Sequence, residues 1–195
     1  MVKINRKSYP FLIITFLYFL LGFVNILFAY LAVACMIIPF VMVSRTGKKP
    51  WCSTYCPRAD FLSLFRIFKS SRKAPAWLNS DNTRKLVFQF FCINLFFIVM
   101  STFMVSRGQM EPIEYVRFLI AFTIPVDLPQ IWAGPALPPW AVHLAYRFYS
   151  IMFTSTVLGV VLASLYKPRT WCAVCPVNTL STAMIRQITV SEGNE

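Results

Sequence analysis

The chain has 195 residues, is 57% hydrophobic and only 13% charged, and carries a formal net charge of +12; its mean hydropathy is +0.61. That is too apolar for an ordinary soluble domain and marks a polytopic membrane protein. The basic residues concentrate in loops beside apolar runs, where a bilayer retains positive charge on the cytoplasmic side near anionic lipid headgroups, so the partner is membrane lipid and not nucleic acid.

The N-terminus carries Lys3, Arg6 and Lys7. The apolar run that follows is too long for a signal-peptide core and lacks a small-residue cleavage site, so it is expected to stay. From Pro10 to Val43 the run is unbroken: too long for one upright crossing of about 20 residues and short for two. Gly22 and Asn25 are its turn residues. Either the segment 10–43 is a helical hairpin turning near Gly22–Asn25, or it is one tilted helix with a break. The hairpin leaves the N-terminal basic residues on the same side as the basic loop that follows, and charge therefore favours it. Cys35, inside the run, reads as a small buried residue.

Residues 44–85 form that basic loop, with Arg45, Lys48, Lys49, Arg58, Arg66, Lys69, Arg72, Lys73, Arg84 and Lys85 against Asp60 and Asp81. Inside it, after Lys49-Pro50, stands Trp51-Cys52-Ser53-Thr54-Tyr55-Cys56-Pro57. The proline suits the first position of a helix, which puts Cys56 at a helix N-terminus facing free N–H groups and the positive dipole end. Phe61, Leu64, Phe65 and Phe68 then share one helical face and Asp60, Ser63 and Arg66 another, the pattern of a short interfacial helix. Ala74-Pro75-Ala76-Trp77 breaks it, and Ser80-Asp81-Asn82-Thr83 supplies caps for the next helix.

Residues 86–105 read as a clean spanning helix. Cys92 within it reads as another small buried residue, and Asn94 is its most polar interior residue, placed for a helix–helix hydrogen bond or a ligand such as a quinone. The region 107–147 is an outer loop with balanced charge and six prolines: Pro112, Pro125, Pro129, Pro135, Pro138 and Pro139. Tyr115 to Ile124 is apolar but too short to span, and reads as an interfacial or re-entrant helix; Trp132 and Trp140 belong at headgroup depth. His143, the only histidine, reads as a capping or packing residue. Residues 148–166 form the last span, where Ser150, Thr154, Ser155, Thr156, Gly159, Ala163 and Ser164 permit close helix packing.

The segment 167–195 then repeats the first motif: Lys167-Pro168, followed by Trp171-Cys172-Ala173-Val174-Cys175-Pro176 and a short helix with Leu180, Met184 and Ile188 on one side. With the basic loop in the cytoplasm, both motifs land on the cytoplasmic side. Three chemistries use two such cysteine pairs. Cys52, Cys56, Cys172 and Cys175 can hold a 4Fe-4S cluster, whose separate iron corners accommodate unequal spacing and whose motifs commonly carry Cys-Pro. They can form a Cys₄ zinc site, although such sites usually close small soluble knuckles. They can run quinone-linked thiol–disulfide exchange, which belongs in an oxidising compartment. The first is favoured.

The stretch Trp51 to Ala59, with Lys167 to Ser181, resembles the membrane-embedded 4Fe-4S-binding domain proteins, polytopic relatives of the NapH and NosR types in bacterial respiratory chains. The resemblance implies ligation of one cluster by Cys52, Cys56, Cys172 and Cys175, a place in a prokaryotic cell membrane, and membrane-associated electron transfer. The expectation is thus an all-α membrane protein with about four transmembrane helices and a short interfacial helix after each Cys-Pro motif. It relays electrons between a cytoplasmic donor (a ferredoxin, flavodoxin or flavoprotein subunit) and an acceptor in the membrane, such as a quinone, or in a partner subunit. A metal-stapled assembly subunit without redox turnover is the alternative.

Overall fold

The computed structural model describes residues 9–64, 74–119, 122–124, 128, 130–131 and 137–192. The chain is mostly helical: α1 Tyr9–Val24, α2 Leu31–Thr46, α3 Pro57–Leu64, α4 Asp81–Ser106, α5 Pro139–Leu165, α6 Thr170–Val174 and α7 Pro176–Glu192. Phe65, Arg66, Phe68, Lys69, Arg72, Lys73 and Trp132, used in the sequence reading, lie outside the described residues.

The long N-terminal apolar run breaks at Asn25. Its backbone is extended (φ −155°, ψ 129°), and its side-chain oxygen accepts the Leu27 N–H to cap a 3-10 turn over Ile26–Tyr30 that runs into α2. The break leaves α1 with 16 residues, about 24 Å long against an apolar core of about 30 Å. The segments Ile26–Thr46, Asp81–Ser106 and Pro139–Leu165 are long and apolar enough to cross a membrane. That makes three crossing-length helices among the described residues, with α1 the short one of the four expected.

Two boundaries differ from the sequence reading. Helix α4 starts at Asp81, not Leu86, because Ser80 Oγ accepts the Thr83 N–H at 3.3 Å and caps it. Helix α5 starts at Pro139, so residues 139–147, assigned to the outer loop, are helical. Proline at the first helical position loses no hydrogen bond, so Pro138-Pro139 starts a helix where it was read as continuing a loop.

The chain divides into two compact units. The first takes Met1–Thr15, Ala34–Gln89 and Leu158–Glu195. Its core is Leu62, Leu78, Ala163, Trp171 and Val174, with Phe61, Val87 and Cys175 packed on it. Leu62 of α3 is fully buried and lies over Gly159 of α5, where an added Cβ would stand 3.0 Å from its methyl. The missing side chain at Gly159 is what lets α3 settle there. Asp60, placed on the polar face of α3 by periodicity, is also buried, at 6% exposed, because it pairs with Arg169 at 3.6 Å.

The second unit takes Phe16–Val33 and Phe90–Val157. Its core is Ile26, Ala29, Val116, Leu128, Ala145, Tyr146 and Tyr149. The helix expected over Tyr115–Ile124 is not formed. Arg117–Phe118 and Phe122–Thr123 instead pair as a two-residue antiparallel ladder, turning through Leu119 at φ 49°. The cause lies on α5. Ser150 Oγ accepts the Arg117 N–H at 3.0 Å, and Thr154 Oγ1 accepts the Leu119 N–H at 3.3 Å. Hydroxyls four apart on a helix are spaced about 6 Å, close to the roughly 6.8 Å between alternate residues of an extended chain. The α5 hydroxyls, read from sequence as aids to helix packing, here serve as a ladder for an extended segment.

His143 is fully buried in the same unit. Its Nδ1 accepts the Ile113 N–H at 3.0 Å, and Nε2 lies 3.0 Å from Ser101 Oγ. Because a backbone N–H points at Nδ1, the ring proton sits on Nε2 and is donated to Ser101, whose own hydroxyl donates to the Ile98 carbonyl at 3.1 Å. The ring is neutral and satisfied at both nitrogens, which makes it a structural pin.

Candidate metal centre

Both cysteine pairs fall in the first unit and are built alike. Trp51–Tyr55 forms a single π-helical turn beginning at Pro50; Cys56 leaves it with extended backbone (φ −71°, ψ 108°). Pro57 then takes the first position of α3. The Cys56 carbonyl accepts the N–H groups of Ala59 and Asp60 at 3.1 and 3.3 Å, and its sulfur receives hydrogen bonds from the backbone N–H groups of Arg58 and Ala59. In the second pair the turn is α6, Cys175 leaves it at φ −60°, ψ 129°, Pro176 opens α7, and the Cys175 carbonyl accepts the Thr179 N–H at 3.0 Å. The wider π turn takes up the extra residue between Cys52 and Cys56.

Side chains beside the two motifs tie the pairs together. Lys49 Nζ donates to Asn178 Oδ1 at 3.3 Å and to the Thr182 hydroxyl. Asn178 Nδ2 in turn donates to the Cys172 carbonyl at 2.9 Å. The lysine ahead of the first pair is thereby wired to the backbone of the second. Arg84 Nε donates to the Ala173 carbonyl at 3.2 Å. The Asp60–Arg169 pair adds a contact between the segments, but Arg169 is half-exposed, so solvent screening leaves that ion pair a small stabilising effect. The only sequence signal for Asn178 was its place two residues after Cys175-Pro176, too little to assign a partner.

All four motif thiols are partly buried. Burial is the main cause that pushes Cys172 up to about 12 and Cys52 up to about 11, and it raises Cys56 as well. The next cause is mutual repulsion. Cys172 feels Cys56, Cys175 and Cys52; Cys52 feels Cys175 and Cys56; Cys56 feels Cys175. Four sulfurs from two distant segments therefore form one electrostatic group. Opposing cations are distributed among them: Lys49 at Cys52, Arg58 at Cys56 and Arg169 at Cys172. Cys35 of α2 comes within electrostatic reach of Cys56 and Arg58, while Cys92, expected to be buried, is exposed, because little of α4 is covered by the rest of the chain.

Residues 28–75 and 150–188 match the 4Fe-4S binding domain. The chain carries an iron–sulfur binding domain. No curated protein and no solved structure matches it. The matched segments contain Cys52, Cys56, Cys172 and Cys175 and leave out Cys92 and His143. The cofactor is a 4Fe-4S cluster.

The donor set fits that group. It is all thiol, and a cluster with four thiolates is anionic, so the three cations and the N–H groups aimed at Cys56 favour it. Among the described residues no three His, Cys, Asp or Glu side chains are drawn together into a set that could hold one metal ion.

The raised thiols set the pH behaviour of the cluster-free protein. Unfolded thiols ionise near about 8.5, whereas folded Cys52 and Cys172 hold their protons to about 11 and about 12. The resulting stability is fully present below the unfolded value and is lost as pH rises through the folded values. Thermal melts of the cluster-free protein should be level near neutral pH and fall progressively above about pH 9; a melting temperature that rises there contradicts the assignment. Cluster uptake must release these protons, and so should strengthen as pH rises from acid to neutral.

Proposed function

We propose that the protein is a membrane-bound electron relay, passing single electrons between a cytoplasmic donor and an acceptor in the membrane or a partner subunit. The observation that carries this reading is two like-built Cys-Pro turns in one compact unit, tied to each other through Lys49, Asn178 and Arg84. Cys52, Cys56, Cys172 and Cys175 would hold the cluster. The cluster supplies one-electron exchange at a potential set by charge, hydrogen bonding and exposure. Lys49, Arg58 and Arg169 offset its negative charge and draw that potential upward. Trp171, only 9% exposed, and the half-buried Trp51 limit access of water.

The same reading orders the membrane topology. Helices α4 and α5, both of crossing length, separate the two motifs, and two crossings return a chain to the face it left. The Lys and Arg of the loop 44–85 make that face the cytoplasmic one of a prokaryotic cell membrane. Helix α1 adds a fourth crossing, its shortness met by local thinning of the bilayer. Basic residues around the first motif suit an acidic ferredoxin, a flavodoxin or a flavoprotein subunit as donor, and a quinone is the acceptor that a membrane supplies. The likeness of both motifs to NapH- and NosR-type proteins points the same way.

Anaerobically purified protein should hold about four iron and four sulfide per chain and gain a paramagnetic signal on reduction. Electron transfer from a reduced ferredoxin or flavodoxin to that centre, followed by stopped-flow bleaching, tests the relay. One zinc per chain with no sulfide overturns the reading, and an intact cluster that no reductant can reduce leaves only the assembly role.

A further inference from the structure

Two buried polar atoms of the first unit, Trp171 Nε1 and Ser181 Oγ, meet no hydrogen-bond partner among the described residues. Ser181 is fully buried and Trp171 is 9% exposed. A buried donor without an acceptor bears the full cost of leaving water. A hydroxyl inside a helix can avoid that cost by donating to a carbonyl one turn back. In α7 the hydroxyls of Thr179, Thr182 and Thr189 do so, toward the carbonyls of Cys175, Asn178 and Ile185. Ser181 does not.

The neighbours of both donors are the cysteine segments. Side chains three and four apart share a helix face, so Ser181 lies on the face of Asn178, whose Nδ2 donates to the Cys172 carbonyl at 2.9 Å. Asn178 and Thr182 also receive Lys49 Nζ, from just ahead of Cys52. The face of α7 that carries Ser181 therefore meets both segments. Trp171 immediately precedes Cys172. It lies in the core of Leu62, Leu78, Ala163 and Val174, on which Cys175 packs, and those aliphatic side chains offer the indole no acceptor. We propose that the Ser181 hydroxyl and the Trp171 indole N–H donate hydrogen bonds to sulfur atoms of the 4Fe-4S cluster and so set its potential. Such bonds favour the reduced state, which carries one more negative charge, and draw the potential upward. They presuppose the ligand set proposed above, Cys52, Cys56, Cys172 and Cys175.

The test uses the full-length protein, purified anaerobically in detergent with its cluster. Midpoint potentials are measured by redox titration of the paramagnetic signal. Ser181→Ala and Trp171→Phe should each keep the iron and sulfide of wild type and titrate at a lower potential, and the double variant lower still. Ser181→Thr, which keeps a hydroxyl, should titrate near wild type. Cluster-free Ser181→Ala should melt no lower than cluster-free wild type, because it loses only an unmet donor. A wild-type potential in Ser181→Ala overturns the proposal, as does an equal fall in Ser181→Thr. A lower cluster-free melt in Ser181→Ala would show that the hydroxyl has its partner within the chain, and overturns it too. Should Trp171→Phe fail to fold, the Ser181 variants decide. Wild-type protein without acid-labile sulfide overturns the ligand set and these bonds together, whereas a full cluster with unshifted variants overturns the bonds alone.

Discussion

Changing any one of Cys52, Cys56, Cys172 or Cys175 to serine should strip the purified protein of its iron–sulfur absorbance and drop bound iron from about four per chain toward zero. The expected loss is near-total because each thiolate holds its own corner, and a serine hydroxyl is a harder, poorer ligand for iron in such a cluster. Cys56 should be no more forgiving than the others, although its sulfur receives two backbone N–H groups, since those hydrogen bonds assist a thiolate and cannot replace it. Cys35→Ala and Cys92→Ala should retain the full complement of iron and sulfide. Cys35 is the sharper control, because it lies within electrostatic reach of Cys56 and is the nearest alternative ligand on α2. Iron and acid-labile sulfide analysis of the six variants decides the matter. A cluster that survives Cys175→Ser but disappears in Cys35→Ala would show that the ligand set is misassigned.

Gly22→Leu should destabilise the second unit severely. A Cβ at Gly22 would stand well inside van der Waals contact of the Tyr149 ring edge, and that ring has nowhere to go. Tyr149 is 3% exposed; its hydroxyl donates to the Phe19 carbonyl at 3.3 Å, Phe19 meets it edge-on at 5.8 Å, and Tyr18 stacks on it at 6.1 Å. Overpacking of this kind costs about 1–3 kcal/mol and sometimes more, enough to lower the melting temperature by several degrees or to abolish accumulation of the protein. Tyr149→Leu introduced alongside Gly22→Leu should recover part of the loss by making room, and the double-mutant cycle isolates that coupling. Simple additivity of the two changes would show that Gly22 is not there for the ring.

Local chemistry was legible in the amino-acid sequence, and pairing between segments was not. The two Cys-Pro motifs announced their own geometry, because a proline in the first helical turn and a cysteine just before it leave the backbone few choices. Ser80 could be recognised as a cap for the same reason. Periodicity put Asp60 on the polar face of α3, yet it is buried. Nothing nearby in sequence reveals that Arg169 will lie against it. The extended segment at Arg117 was missed on the same grounds: its conformation is dictated by Ser150 and Thr154, hydroxyls of a helix more than thirty residues further along the chain. The Lys49-Pro50 pair placed Lys49 beside the first cysteine pair, but nothing nearby in sequence placed it against Asn178 and Thr182. The start of α5 was lost because consecutive prolines read equally well as a loop or as the first turn of a helix.

The tie between Lys49 and Asn178 bears on how the protein ages. Cys56 and Cys172 are separated by most of the chain, and closing so long a loop through a shared inorganic group removes unfolded-state entropy of about 5 kcal/mol by the cross-link model. Once oxidants dismantle the cluster, that restraint vanishes, and the shared apolar core, the Asp60–Arg169 pair and the hydrogen bonds of Lys49, Asn178 and Arg84 are left to keep the segments in register. Each such hydrogen bond contributes about 1 kcal/mol net. Oxidative damage to the cofactor thus becomes a change in the lifetime of the polypeptide itself: a chain that has lost its cluster should open more often and be cut faster by added protease than the intact protein.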